Sequence, residues 1–219
     1  MDLCYTVSQS LGQLFQQEYK KTFHLIQNCP TLAELSASTY TEAPFILYQG
    51  ALNKGRGLEE LIKSMQMLPL KLKIAGEGDL SQELRQLVQN LQLKEKVEFL
   101  GYVQPSELKE LTPKAFLGYN LLENLGKSYY YSLSNKFFDY MHALVPSLSN
   151  DFPEYAHINS QYKVAVLCDL NKEEIAKNVN MLLENESAYK ELQKNALVAR
   201  EIYNWQHEEK ELIKLYGSL

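Results

Sequence analysis

Apolar positions along this chain alternate between two rhythms. Residues 45–48 are a continuous apolar run, and short strand-like segments, some interrupted by single polar residues, fall at 70–75, 97–100, 115–119, 146–149 and 164–167. Runs of this length between turn residues read as strands buried on both faces. Between several of them the apolar residues take helical spacing: Leu58, Leu61, Ile62 and Met65; Leu80, Leu84, Leu87, Val88 and Leu91; residues 106–111; and Phe137, Phe138 and Met141. From Asn171 the pattern is helical to the end, with caps or breaks at Asn185 and Asn204. Strands alternating with helices through short loops predict an α/β protein, a doubly wound parallel sheet covered on both sides.

The first residues follow a different plan. Residues 3–7 favour a strand, Ser8 stands as an N-cap before Leu11, Leu14, Phe15 and Tyr19 at helical spacing, and residues 22–26 alternate as a second strand before Asn28-Cys29-Pro30. This strand-helix-strand piece is too small to hold a core and reads as the end of a preceding domain. Residues 31–42 are small, polar and weakly periodic, as an interdomain linker would be. The expected organisation is a remnant plus linker at 1–43, a Rossmann-like ligand-binding domain at 44–202, and a closing helical segment at 203–219.

Composition narrows the function classes. In 219 residues, 45% are hydrophobic and 22% charged, ordinary values for a folded globular protein. The net charge of −5 argues against a nucleic-acid partner, which requires a basic surface to displace counterions. Three cysteines without C-x-x-C spacing read as reduced, buried thiols. No apolar run approaches transmembrane length and the start lacks a signal-peptide pattern, so a cytoplasmic location is expected. His24, His142, His157 and His207 are scattered without ligand spacing, so no metal and no cofactor is expected. The fifteen tyrosines are many for this length, and three stand together as Tyr129-Tyr130-Tyr131.

In open α/β sheets ligands bind beyond the carboxyl ends of the strands, so the loops that follow strands carry the candidate chemistry. Residues 49–57 hold Gly50, Gly55 and Gly57 with Lys54 and Arg56 just before a helix. Backbone amides and two cations there suit a diphosphate, and a glycine turn with solvated cations explains the loop equally well. Residues 75–79 carry a G-x-G without a third glycine at dinucleotide spacing, and a tight turn capped by Asp79 explains them as well. In residues 101–105, Tyr102 offers a platform for a base and the Val103 backbone a polar edge; packing of Tyr102 on the next helix is the alternative. The longest loop, 123–136, runs past Ser132, Ser134 and Asn135 into a helix whose amides would cradle phosphate, with Lys136 adding charge. One turn on, Asp139 is placed either to accept from ribose hydroxyls or to favour the helix N-terminus.

Taken in this order, these loops over 44–219 resemble the carboxyl-terminal, donor-binding domain of GT-B-fold glycosyltransferases of the retaining family 4. Gly50, Lys54, Gly55 and Arg56 resemble that family's glycine-and-K-G diphosphate loop, with Ala51 where an arginine is usual. The resemblance makes residues 97–103 the base-recognition loop. It also aligns residues 133–141 with the variant S-P-x-K-x-x-E-Y of the family's E-x7-E motif, Ser134 replacing proline and Asp139 the second glutamate. Tyr131 stands at the first glutamate's place, and Glu123 is the remaining acid for a donor-sugar contact. Residues 203–219 resemble the helix that crosses back to the amino-terminal domain.

The resemblance implies transfer of a hexosyl group from a nucleoside diphosphate sugar to an acceptor hydroxyl on a glycan or lipid-linked glycan, in polysaccharide or glycoconjugate synthesis. Lys54, Arg56 and the helix amides near Ser134 would stabilise the leaving diphosphate, while Gly50, Gly55, Tyr102, Val103, Ser134, Asn135, Lys136 and Asp139 would bind the donor nucleotide sugar. Acceptor choice in this architecture belongs mostly to the amino-terminal domain. This chain alone is therefore expected to be inactive; it reads as an excised domain, a truncated frame or a subunit that completes its cleft with a separate amino-terminal-domain chain, with peripheral membrane association through that missing domain. Two other readings stand beside it: a non-catalytic nucleotide-sugar-binding module, and a nucleotide-sugar epimerase of the same fold.

Overall fold

The computed structural model describes residues 3–34 and 43–217, so the part of the expected linker at 35–42 lies outside the described residues. A six-stranded, wholly parallel sheet runs in the order β5-β4-β3-β6-β7-β8. Its strands are β3 (Phe45–Gln49), β4 (Lys71–Ala75), β5 (Val97–Gly101), β6 (Leu117–Asn120), β7 (Ser147–Ser149) and β8 (Ala165–Leu167). Alternation along β3 explains why both faces must be covered. Ile46 and Tyr48 pack on one side with α2 (Leu58–Ser64), α3 (Ser81–Asn90) and α8 (Lys172–Glu184), while Phe45 and Leu47 pack on the other with Tyr140 of α6 (Asn135–His142). The doubly wound α/β fold expected from the alternation is the fold observed.

Between β3 and β6 the winding reverses. The chain first builds outward through β4 and β5, with α4 (Pro105–Leu111) after β5, and then returns to place β6 on the other side of β3. Loops leaving the carboxyl ends of these two strands diverge and leave a crevice at the switch point.

The chain from β7 to β8 passes through α7 (Pro153–Tyr162), an element absent from the sequence expectations. Its apolar stripe is short, but two parallel strands cannot be joined without a crossover of about a dozen residues. Pro153 in the first turn was the signal available. The polar loop after β6 contains a further single turn, α5 (Lys127–Tyr130). After α8, Asn185 caps α9 (Glu186–Arg200) by accepting the Ala188 N–H at 2.9 Å, a contact that contributes about 1 kcal/mol. Asn204 does the same for α10 (Trp205–Gly217) from the His207 N–H at 3.1 Å.

The amino-terminal residues form β1 (Cys4–Thr6), α1 (Gln9–Tyr19) and β2 (Phe23–Leu25), with the two strands paired parallel in a separate sheet. Ser8 caps α1 through the Leu11 N–H, 3.4 Å. Glu154 of α7, buried, accepts the N–H groups of Gln9 (3.2 Å) and Ser10 (2.7 Å), which places a carboxylate at the positive end of α1. At the far end, α10 holds the segment after β2. Glu208 accepts the Gln27 N–H at 2.8 Å, Trp205 N–H donates to the Pro30 carbonyl at 2.9 Å, and the Gln206 amide makes both backbone hydrogen bonds to Leu32. Cys29 and Cys168 are buried free thiols, whereas Cys4 is half-buried, because β1 belongs to a sheet of two strands with little to cover it. No helix among the described residues is long and apolar enough to cross a membrane.

Candidate functional site

The crevice at the carboxyl ends of β3 and β6 opens into a cleft of about 620 Å³. One wall is the loop 50–57. Three of its carbonyls are engaged by tyrosine hydroxyls: Tyr48 donates to the Ala51 carbonyl (2.6 Å), Tyr119 to Gly57 (2.6 Å) and Tyr129 to Lys54 (3.2 Å). The Glu123 N–H takes the Gly55 carbonyl at 3.0 Å. Burial pushes the Tyr48 phenol up to about 12 and the Tyr119 phenol well above its usual value, so both remain donors across the physiological range. The tyrosine-rich composition thus has a local purpose, since the rings of Tyr48 and Tyr119 pack in the core and that of Tyr129 lines the cleft while their hydroxyls hold the glycine loop.

Facing this loop is the first turn of α6. The N–H groups of Asn135 and Lys136 have no acceptor among the described residues, as the first N–H groups of any helix have none within it. Ser134 is different. Its N–H donates to the Tyr155 hydroxyl at 3.1 Å and its own hydroxyl to Asn120 Oδ1 at 2.6 Å, so both of its donors are engaged inside the protein. Its contribution is to hold the turn in place. The amides open to a ligand lie one and two residues further on.

Three charges meet in the cleft. Arg56 is half-buried, forms no ion pair with any described residue, and lies 6.0 Å from the Tyr129 ring centroid. Lys136 is only 9% exposed, with Nζ 5.5 Å from the Tyr48 ring centroid and again no carboxylate in ion-pair range among the described residues. Burial, with the neighbouring Arg56 charge, brings its ammonium down to about 7 against a weaker upward pull from Asp139. Asp139 accepts from Gln49 Nε2 at 3.0 Å, and Gln49 Oε1 in turn accepts from the Thr112 hydroxyl at 2.8 Å. Burial raises the Asp139 carboxyl to about 6, opposed by the Gln49 hydrogen bond and the Lys136 charge. Two cations and two free amides around one restrained carboxylate leave an excess of positive potential in a partly desolvated cleft. That arrangement receives an anion with two or more charged oxygens and orients a hydroxyl-bearing group beside it.

Of the residues singled out in the sequence, Gly50, Arg56, Ser134, Asn135, Lys136 and Asp139 line this cleft. Lys54, Gly55, Tyr102, Val103 and Glu123 are not among its lining residues. Lys54 is exposed, and its carbonyl rather than its ammonium is engaged. Tyr102 is 70% exposed. The turn after β4 is closed by Ser81, whose hydroxyl accepts the Gly78 N–H at 2.9 Å, instead of by Asp79. Sequence reasoning missed Gln49, Ser128 and Tyr129 in the walls. Gln49 carried a usable signal, a polar residue ending an otherwise apolar strand directly before the glycine loop. No group of three or more metal-ligating side chains forms among the described residues.

Comparison with known proteins places this geometry. The family described as glycosyl transferases group 1 matches residues 31–198. An uncharacterized glycosyltransferase of Methanocaldococcus jannaschii is 36% identical over 84 residues, 36% of this chain and 22% of that protein. The N-acetylgalactosamine-N,N'-diacetylbacillosaminyl-diphospho-undecaprenol 4-alpha-N-acetylgalactosaminyltransferase of Campylobacter jejuni is 47% identical over 60 residues, 26% of this chain and 16% of that one. Among solved structures, Anabaena HepE in complex with UDP superposes with a TM-score of 0.84 at 17% identity, covering 99% of this chain and 64% of that one. The chain thus spans less than two thirds of HepE, and its matched segments less than a quarter of either curated relative. The parallel six-stranded sheet with helices on both faces matches the fold of GT-B glycosyltransferases. With the match running through both walls of the cleft, the chain belongs to the glycosyl transferases group 1 family.

Proposed function

We propose that the cleft binds the diphosphate of a nucleoside diphosphate sugar, and that the chain supplies the donor-binding portion of a hexosyltransferase acting on an acceptor hydroxyl of a glycan or lipid-linked glycan. The observation that carries this reading is the convergence of Arg56, Lys136 and the free amides of α6 at the switch point, with no ion pair to neutralise either cation among the described residues. Positive charge held in place before the reaction stabilises a leaving diphosphate as the glycosidic bond breaks, without protein nucleophile, metal or cofactor. Asp139, steadied by Gln49, is the acceptor for ribose hydroxyls. Tyr102 and the Val103 backbone take the base, and Glu123 is the acid available to the sugar. HepE was crystallised with UDP, which makes a uridine nucleotide the first donor to test. Transfer proceeds with retained anomeric configuration on this reading.

Calorimetric titration with UDP, GDP and their sugar conjugates tests it directly. Saturable binding with a preference for one base is the expected result, and no heat with any nucleotide at millimolar concentration would reject the site. Arg56→Ala is expected to weaken UDP binding roughly 10- to 100-fold, the range for a charged hydrogen bond. Lys54→Ala is expected to have a smaller effect, because its ammonium lies outside the cleft wall. Both variants should keep their unfolding midpoints, since exposed or unpaired charges contribute little to folding. Asp139→Asn is expected to weaken UDP about tenfold and to leave inorganic pyrophosphate binding nearly unchanged. Equal losses for the two ligands would place Asp139 on the phosphates instead of the ribose.

A non-catalytic binding module is the second reading, favoured by one observation. Tyr131 occupies the first glutamate's place, with its ring packed edge-on against Tyr130 at 5.1 Å and outside the cleft lining, so Asp139 is the one carboxylate among the lining residues. Assembly with an amino-terminal-domain partner followed by assay of sugar transfer separates the two: binding without transfer or donor hydrolysis identifies the module.

A further inference from the structure

We infer that Tyr129 is a positioning residue of the donor site, acting through Arg56: the α5 turn is a clasp that fixes the glycine loop and holds the guanidinium in the cleft. The inference rests on the proposed donor-binding role of that cleft. Three contacts carry it. The Tyr129 ring lies so close over Gly55 that a Cβ there would fall 2.6 Å from Cε1 and 2.8 Å from both Cζ and Oη. The Tyr129 hydroxyl donates to the Lys54 carbonyl, and Arg56 lies at 6.0 Å from the ring centroid. Residues 54, 55 and 56 are therefore all held by one side chain, which itself lines the cleft.

The physical need for such a clasp follows from what Arg56 lacks. An arginine with no ion pair spreads over many rotamers, and a ligand must select one of them. Its own loop cannot restrict it, because Gly55 and Gly57 at positive φ flank it and supply no side chain. The tyrosine face offers a cation a weak, non-competing seat. It limits the guanidinium to the cleft side without occupying the hydrogen-bond donors that an anion will use. A carboxylate in the same place would hold Arg56 more firmly and neutralise the site.

The test is a double-mutant cycle read by UDP affinity, with uridine as a ligand that has no phosphate. Tyr129→Ala is expected to weaken UDP about tenfold, equivalent to about 1.4 kcal/mol, and uridine less than twofold. Tyr129→Phe keeps the ring and loses one hydrogen bond, so it is expected to weaken UDP about threefold at most. In an Arg56→Ala background, Tyr129→Ala should cost less than about twofold, because nothing remains for the ring to position. Urea unfolding of each variant confirms that a folded population is being titrated. Equal losses in both backgrounds would show a general structural role and overturn the inference, as would an unchanged UDP affinity in Tyr129→Ala. Failure of the wild-type chain to bind UDP or any other nucleotide would instead remove the donor-site reading, and the role of Tyr129 with it.

Discussion

Replacing Lys136 by methionine is expected to make the unliganded protein more stable while removing most of its affinity for a diphosphate. The residue is 9% exposed and its Nζ lies over the Tyr48 ring, a place that an unbranched apolar side chain of similar length fills well. Its ammonium has no ion-pair partner among the described residues and faces Arg56, and burial lowers its proton affinity from the ordinary 10.5 to about 7. A lysine whose folded-state value lies below its unfolded value destabilises the fold whenever it must carry a proton. The penalty is absent above the unfolded value near 10.5, grows as pH falls through the window down to about 7, and is constant below that. Lys136→Met should therefore raise the unfolding free energy by about 2–4 kcal/mol at pH 6–7, allowing for water that reaches the ammonium from the cleft, with the gain vanishing toward pH 10.5. UDP affinity should fall roughly 10- to 100-fold.

A second readout belongs to the same group. A bound diphosphate favours the charged ammonium and lifts its proton affinity, so at pH 8 the wild-type protein should take up a proton on binding UDP. The observed binding enthalpy would then depend on the ionisation enthalpy of the buffer, and that dependence should be missing in Lys136→Met. A methionine variant that is less stable than wild type at pH 7 would show that the lysine stem or charge serves the fold. The stability gain and the binding loss together are the signature of a group retained for a ligand.

Gly76→Ala is expected to lower stability by about 4 kcal/mol or more, among the largest losses available to a single added methyl in this chain. Gly76 follows β4 with φ of +150°, a conformation side chains rarely adopt, and its Cβ would stand 1.9 Å from the Gly50 carbonyl oxygen. Neither backbone can yield freely, because Gly50 N–H donates to the Ala75 carbonyl at 2.9 Å and Gly76 N–H to the Gly101 carbonyl at 2.7 Å. Three glycine turns meet here at the ends of β3, β4 and β5, so the substitution should also displace the floor of the cleft. Gly126→Ala is the comparison that separates the two causes. Its φ is +125° but no atom would lie within 4 Å of the new Cβ, so it carries backbone strain alone, about 1–2 kcal/mol. Urea unfolding of the two variants measures the difference, and equal losses would assign the whole effect to backbone conformation.

The sheet was legible along the chain because its signal is local. The stretch 45–48 is apolar at every position because helices cover both faces of the sheet, and glycines and an asparagine such as Asn185 mark the ends where helices start. The longest helix that was missed, α7, shows the limit of that signal. Its buried face is only Glu154, Tyr155 and Ile158, because the helix is anchored as much by polar contacts to α1 as by apolar packing. Those partners are about 145 residues away, and no periodicity in residues 153–162 announces them.

For the cleft the division is similar. The glycine loop, Arg56, Lys136 and Asp139 could be nominated from their types and order, since anions need amides and cations at strand ends. What each donor does with its protons could not. Ser134 looked like a phosphate ligand until Tyr155 and Asn120 were found to occupy both of its donors, and Lys54 looked equivalent to Arg56 until the turn put one cation outside the cleft and the other in it. Gln49 meets Asp139 and Thr112, 90 and 63 positions away, and Tyr129 meets Lys54, 75 positions away. A residue's chemical type belongs to the chain, whereas its free valences depend on which neighbours folding brings within 3 Å. That is why the class of ligand could be read in one dimension and the assignment of contacts could not.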